Sequence, residues 1–130
     1  MAHFVDLSVG AKGGTAGVRY PIDVNARAIE EALRQSIQGE VRFDNASRAL
    51  YATDGSNYRQ VPIGVVIPKT IDDVVQTVAL CRKHAAPIFS RGGGTSLAGQ
   101  CCNVAVVMDF SKYMHHVLRI DPDRKLGTVQ

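Results

Sequence analysis

The chain has no tryptophan, and aromatic residues make up only 6% of it. Its Lys and Arg residues are scattered, and the formal net charge is +3. A nucleic-acid surface needs a basic stripe with interleaved rings, so that class of partner is not expected. Cysteine is equally scarce. Cys81, Cys101 and Cys102 are odd in number, and two are adjacent. No Cys-x-x-Cys pair occurs, so neither a disulfide framework nor a zinc site is indicated. Reduced thiols in a cytoplasmic protein are the reading that remains. No metal site is expected. No apolar run approaches the roughly 20 residues of a membrane span, and the first residues lack the apolar core of a signal peptide. Blocks of like charge are absent too, which argues against disorder.

What is present suits one folded domain. The chain has 130 residues, of which 45% are hydrophobic. A chain of that length buries roughly two-thirds of its unfolded surface. Residues 1–22 carry Gly10, Gly13, Gly14 and Gly17 with little periodicity, and read as a flexible arm. A helix is expected from about Asp23, because Ile22, Ala26, Ile29, Leu33 and Ile37 recur every three to four residues. Gly39 supplies its stop. Val41 to Phe43 is a short extended piece, and Asp44 caps a brief helix through Ala46 to Ala52. Thr53-Asp-Gly-Ser-Asn57 is turn chemistry. Residues 23–60 thus form a helical lead-in to the region 61–130.

From Gly64 the texture changes to Val65-Val-Ile67, a β-branched strand closed by Pro68. Thr70 and Asp73 have capping-box spacing, and Asp72 and Asp73 suit the positive end of a helix. Ile71, Val74, Val75, Val78 and Cys81 mark the expected buried stripe of that helix, which ends near His84. Pro87 to Ser90 is the next strand and completes a β-α-β unit. Val104 to Phe110 is apolar on both faces, as in a strand covered on both sides. His116 to Asp121 and Lys125 to Val129 are two further strands, joined by a turn at Pro122-Asp-Arg124. The last runs to the final residue without a stop signal, so the chain reads as a fragment of a longer protein. Its unpaired edge could recruit a second copy.

Directly after the strand at Pro87 to Ser90 the chain reads Ser90-Arg-Gly-Gly-Gly-Thr-Ser-Leu-Ala-Gly-Gln100. Glycine removes the Cβ that would hold a ligand away from the main chain. Successive N–H groups then form a concave seat for phosphate oxygens, to which Thr95 and Ser96 can add hydroxyl donors. Spacing separates the known phosphate loops. In the dinucleotide fingerprint the third glycine would fall at Leu97, so that pattern fails. Gly94 and Gly99 have P-loop spacing, but Gln100 and Cys101 stand where Lys and Ser/Thr are needed. Nucleotide hydrolysis then lacks its electrostatic parts. What remains suits a pyrophosphate that is held and not cleaved.

Val65-Val-Ile-Pro-Lys-Thr70, the following helix and Arg91-Gly-Gly-Gly-Thr-Ser-Leu-Ala-Gly-Gln100 together resemble the FAD-binding domain of the vanillyl-alcohol oxidase and p-cresol methylhydroxylase type. Within that group the chain is most similar to FAD-linked dehydrogenases of 2-hydroxy acids, which oxidise D-lactate and glycolate. Tyr51-Ala-Thr-Asp-Gly-Ser-Asn-Tyr-Arg59 adds to the resemblance, since such an element precedes the first strand in those enzymes. The likeness spans roughly residues 23 to 130. It implies an α+β fold, the first lobe of such a domain, with a small mixed sheet and flanking helices. It implies that FAD lies on Arg91, Gly92, Gly93, Gly94, Thr95, Ser96 and Leu97, with Gly99 and Gln100 closing the loop. Some relatives attach the flavin through a histidine in this loop; Gly94 and Thr95 occupy that region here, so FAD is expected to be non-covalent. The hydroxy-acid substrate would be bound by a region beyond Gln130, together with a second lobe of the FAD site. A fragment of this kind is expected to be inactive by itself, and no catalytic residue is assigned. The alternative is a module that holds a phosphate or nucleotide without redox chemistry.

Other polar residues have plainer explanations. Arg91 can pair with phosphate or cap carbonyls at the strand end, and because amides hold an anion unaided the cap is favoured. Asp54 before Gly55 reads as an Asx-turn, although it and Tyr58 could face a flavin. Arg59 reads as a solvated side chain. His115 and His116 fit a turn or strand edge, and Asp109 fits a cap or turn.

Overall fold

The computed structural model describes residues 24–130; the expected arm and the helix onset at Asp23 lie outside them. Helix α1 (Ala26–Ser36) starts at Asn25, whose side chain accepts from the Ala28 N–H at 3.1 Å. Ile29 and Leu33 on its inner face are fully buried. The helix ends at Ile37, whose backbone is already extended. Gly39 therefore has a task other than stopping it. A Cβ there would collide with the Ile67 carbonyl, so glycine lets this segment lie against the sheet. Strand β1 (Glu40–Arg42) and the short helix α2 (Asn45–Leu50) follow, the latter capped by Asp44.

Strands β2 (Gly64–Ile67), β3 (Ile88–Arg91) and β4 (Val106–Asp109) join β1 in one sheet of order β1-β2-β4-β3. β1 runs antiparallel to β2, whereas β2 and β3 both run parallel to β4. The sheet is mixed and helices flank it, as the α+β expectation requires. β4 sits between the two strands of the β-α-β unit. The residues before β2 are no separate piece, since β1 hydrogen-bonds to β2 and α1 packs on the following helix.

Every residue of β2 and β4 is buried, which fits their runs of Val, Ile and Met. One face holds the main core, where Ile29, Leu33 and Cys81 meet Val66, Val106 and Met108. The other holds Val65, Ile67 and Val107 against Tyr51, Phe89 and Tyr113. β3 differs from expectation. It is a half-buried edge strand that runs on to Arg91, one residue past the expected end at Ser90.

Helix α3 (Ile71–Lys83) has the capping box between Thr70 and Asp73. Its buried face is only partly the expected apolar stripe: Val74 packs on the core and Cys81 is buried, as expected. Ile71, Val75 and Val78 are exposed, at 71%, 56% and 43%, while Asp73, Thr77 and Cys81 face inward. The reason is that the polar members are satisfied locally. Asp73 accepts from the main-chain N–H groups of Gln38, Lys69 and Thr70, and the Thr77 hydroxyl donates to the Asp73 carbonyl at 2.7 Å. Polar groups with partners can occupy a core.

Strands β5 (Val117–Asp121) and β6 (Leu126–Val129) form a separate antiparallel hairpin. Its turn has Lys125 at φ 54° and Asp121 accepting from the Arg124 N–H at 3.0 Å. The two strands pack on each other and on little else.

Candidate functional site

The glycine segment leaves β3 at its carboxyl end and returns as β4, with residues 92–105 as the whole connection. Gly92, Gly93, Thr95, Leu97 and Gln100 are exposed, Ser96 and Gly99 are half-buried, and Gly94 is buried. The segment is open to a ligand. Among the described residues, the main-chain N–H groups of Gly92 through Leu97 have no hydrogen-bond acceptor. Four of these six residues, Gly92, Gly93, Thr95 and Leu97, are exposed, so most of the donors face solvent. Here water or an anion must take them.

The glycines divide into two kinds. Gly94 has φ +68° and lies over the Arg91 guanidinium, into which a Cβ would run. Gly99 has φ +78° and lies against Tyr58, whose ring carbon would be 2.8 Å from a Cβ. The fold itself demands glycine at these two positions. Gly92 and Gly93 have ordinary φ, a Cβ on Gly92 would meet nothing within 4 Å, and one on Gly93 would lie 3.5 Å from Thr95 Cγ2. The fold does not require glycine there.

Arg91 takes the structural role foreseen for it. Its Nη1 donates to the carbonyls of Thr53 at 2.9 Å, Cys101 at 3.1 Å and Tyr51 at 3.5 Å. The guanidinium also stacks over the Tyr51 ring, 5.2 Å from its centroid. Its positive charge stays beneath Gly94 while its Nη1 serves the protein. Ser96 departs from expectation, because its hydroxyl donates to the Gln100 side chain and accepts from the Gln100 and Ala98 N–H groups. It closes the loop together with Gln100 and is not a spare donor. Thr95 has no partner among the described residues, so its hydroxyl is available.

The turn after α2 packs directly on this loop. The Gly55 N–H donates to the Gly94 carbonyl at 2.9 Å. Asp54 forms the expected Asx-turn with the Ser56 N–H at 2.9 Å, and its other oxygen accepts from the Cys101 N–H at 3.0 Å. The Ser56 side chain and these amides hold the Asp54 carboxyl below the usual carboxylate range. The contact with Cys101 was not legible in the sequence, since forty-odd residues separate the two with no periodic signal. Asp109, at the end of β4, forms a turn with Ser111 and also accepts from the Tyr51 hydroxyl at 2.6 Å. Burial and Asp109 push the Tyr51 hydroxyl up to about 12, so it remains a donor.

Three residues stand apart from the loop. Arg59 is exposed, as expected. His115 and His116 stack on each other 5.0 Å apart, and His116 pairs with Gln130 across the hairpin. Among the described residues, no cluster of His, Cys, Asp or Glu could hold a metal ion. The three cysteines are free thiols, and burial pushes Cys81 up to about 11.

A donor-rich loop at the carboxyl end of a parallel strand, backed by an arginine, is an arrangement for a phosphate-bearing ligand. The family model described as FAD binding domain matches residues 62–130. The chain belongs to this FAD-binding domain family. Curated relatives of this FAD-binding domain include D-2-hydroxyglutarate dehydrogenase of Pseudomonas putida, 36% identical over 104 residues, which takes in 77% of this chain and 10% of that protein. Glycolate oxidase subunit GlcD of Bacillus subtilis is 35% identical over 107 residues, covering 78% of this chain and 22% of the subunit. The chain thus spans between 10% and 22% of the length of these relatives.

Solved structures show the same fold. Alkyldihydroxyacetonephosphate synthase superposes with a TM-score of 0.67 at 19% identity, over 80% of this chain and 22% of that one. Substrate-bound p-cresol methylhydroxylase superposes with a TM-score of 0.57 at 18% identity, over 75% and 20% respectively. The p-cresol methylhydroxylase type of FAD-binding domain is therefore the architecture of this chain. Among the described residues, no helix is long and apolar enough to cross a membrane.

Proposed function

We propose that this chain is the first lobe of the FAD-binding domain of a flavin-dependent enzyme that oxidises a 2-hydroxy acid. The observation that carries the reading is the run of unpaired N–H groups from Gly92 to Leu97, in a chain related to two hydroxy-acid enzymes. The residues fit FAD. Gly92 and Gly93 leave the main chain bare where the fold would accept a Cβ. The diphosphate would rest on the amides from Gly92 to Ser96 above the Arg91 guanidinium, with Leu97 adding an N–H, the Thr95 hydroxyl an O–H donor, and Gly99 and Gln100 closing the loop.

Arg91 favours the anion through its field, while its Nη1 is committed to carbonyls. Charge held close beneath a main-chain seat and partly out of water counts for more than the same charge in solution. FAD, when bound, supplies the two-electron acceptor for a hydride leaving the hydroxyl-bearing carbon. What this chain's own residues do is hold, orient and neutralise. The base for the hydroxyl proton and the partner of the substrate carboxylate belong to a part of the enzyme beyond this lobe.

Non-covalent attachment is part of the proposal, since no histidine lies between Arg91 and Gln100. So is a reducing, cytoplasmic setting, which the three free thiols support. Residues 24–60 and 61–130 act as one lobe, because they share a sheet. The outer edge of β6 is a further surface on which copies of the chain can pair.

The test is the visible spectrum of the full-length protein as purified. We expect flavin bands, release of FAD on denaturation, and bleaching by D-lactate, glycolate or D-2-hydroxyglutarate. Absence of FAD overturns the reading. FAD that no 2-hydroxy acid reduces would instead favour a module that binds a nucleotide without oxidising a substrate.

A further inference from the structure

We infer that Asp54 is a positioning residue for the FAD diphosphate, acting by fixing the loop that receives it. The inference rests on the FAD reading above. The loop holds only part of its own shape, through the Ser96 hydroxyl with Gln100 and Arg91 with the Cys101 carbonyl. From Gly92 to Leu97 its N–H groups have no acceptor among the described residues, so no ladder or turn of its own fixes them. A ligand that had to order this stretch would lose affinity to that ordering, and preorganisation removes the loss.

The rest of the order comes from the turn at Thr53 to Ser56, which grips the loop at three places. Thr53 offers its carbonyl to Arg91 at 2.9 Å, where the loop begins. Gly55 donates to the Gly94 carbonyl at 2.9 Å, midway along. Asp54 accepts from the Cys101 N–H at 3.0 Å, where the loop ends. The first and second grips are main-chain groups of the turn. The third is the Asp54 side chain, whose other oxygen is fixed by Ser56.

A carboxylate is an unfavourable choice beside an anion. By charge alone it repels a diphosphate, and neutralising it should improve binding. Two bonded oxygens explain its presence. An asparagine has one acceptor oxygen and one NH2, so it cannot present an oxygen to both Ser56 and Cys101. The two accounts therefore predict opposite signs for one substitution.

In the full-length protein stripped of flavin, Asp54→Asn should weaken FAD roughly tenfold by fluorescence titration, the scale of one charge-assisted hydrogen bond. ADP, which carries the diphosphate without the flavin ring, should weaken by a similar factor. The spectrum of flavin that does bind should be unchanged, and the Cys101 amide proton should exchange faster. A general loss of structure would alter the bound spectrum as well. FAD affinity equal to or better than that of the unsubstituted protein overturns the inference. Where Asp54→Asn does not fold, Ser56→Ala loosens the same carboxylate and should weaken FAD about threefold; unchanged affinity then overturns it. If the unsubstituted protein takes up no FAD, the FAD reading fails and the positioning role falls with it. If it binds FAD and the variant binds equally, only the positioning role fails.

Discussion

Gly93 and Gly94 are adjacent, yet substitution should damage different things. At Gly93 φ is ordinary and the nearest atom to a Cβ is Thr95 Cγ2 at 3.5 Å, so the unliganded protein has room for valine. Gly93→Val should leave the melting temperature nearly unchanged and abolish flavin retention, read as FAD released per mole of protein on denaturation. Full retention would show that the cofactor lies elsewhere. At Gly94 the φ of +68° and the guanidinium beneath it make any side chain costly. Gly94→Ala should lower stability by about 1 kcal/mol or more, measured by the urea midpoint. A third residue joins the two halves of the site. Tyr51→Phe removes the donor to Asp109, which is only 6% exposed. Leaving that carboxylate oxygen short of a partner should cost roughly 1–3 kcal/mol. The Asx-turn at Asp54 was visible in the sequence because it depends on a near neighbour, whereas the carbonyls that Arg91 caps, on Thr53, Tyr51 and Cys101, are brought to it only by the fold. The Tyr51–Asp109 and Asp54–Cys101 contacts were not visible either, because only the folded sheet brings those residues together.

At the scale of elements, the helices and strands were legible wherever local chemistry decides. Thr70 and Asp73 announce the start of α3, and the Val-Val-Ile run announces β2. Which face of α3 turns inward was not legible. Hydrophobicity favours Ile71, Val75 and Val78, but Asp73 anchors the helix by accepting three main-chain N–H groups from outside it and at its cap. That anchor fixes the rotation of the helix and leaves Ile71, Val75 and Val78 outside. Burial opposes ionisation of Asp73, but the N–H groups of Gln38, Lys69 and Thr70 outweigh it and hold its pKa below the usual value. A pKa lower in the folded than in the unfolded chain stabilises above the unfolded value, and the gain is lost as pH falls through the folded one. Glu40 on β1 follows the same rule. Lys112, Tyr113 and Arg42 lower its pKa to about 2. Stability should therefore fall as pH drops from about 5 towards 2, and Glu40→Gln should flatten that fall in urea titrations at a series of pH values. Thr70→Ala should cost α3 about 1 kcal/mol at any pH in that range, seen as a lower urea midpoint.

Across the whole molecule, two parts differ in how firmly they are built in. The four-stranded sheet with α1 and α3 carries the buried core, whereas β5 and β6 pack mainly on each other. Val117, Leu118, Ile120, Leu126 and Val129 are all more than half exposed there. A lone two-stranded hairpin is marginal in water. Ending the chain after Met114 should therefore leave cooperative unfolding intact and shift the melting temperature by no more than a few degrees, by circular dichroism. A collapse of the transition would show that the hairpin supports the sheet. Mixed-sheet architecture and the position of the glycine segment followed from the sequence. The order β1-β2-β4-β3 did not, since nothing local states that β4 enters between its predecessors. That insertion has a consequence for how the chain can change. Parallel neighbours need roughly a dozen residues or more to cross from the end of one to the start of the next, and a helix usually makes the journey. Between β3 and β4 no helix does; residues 92–105 cover the distance alone. Shortening that stretch would sever the sheet's own connectivity, so its length answers to topology while only its lettering is free to answer to a guest.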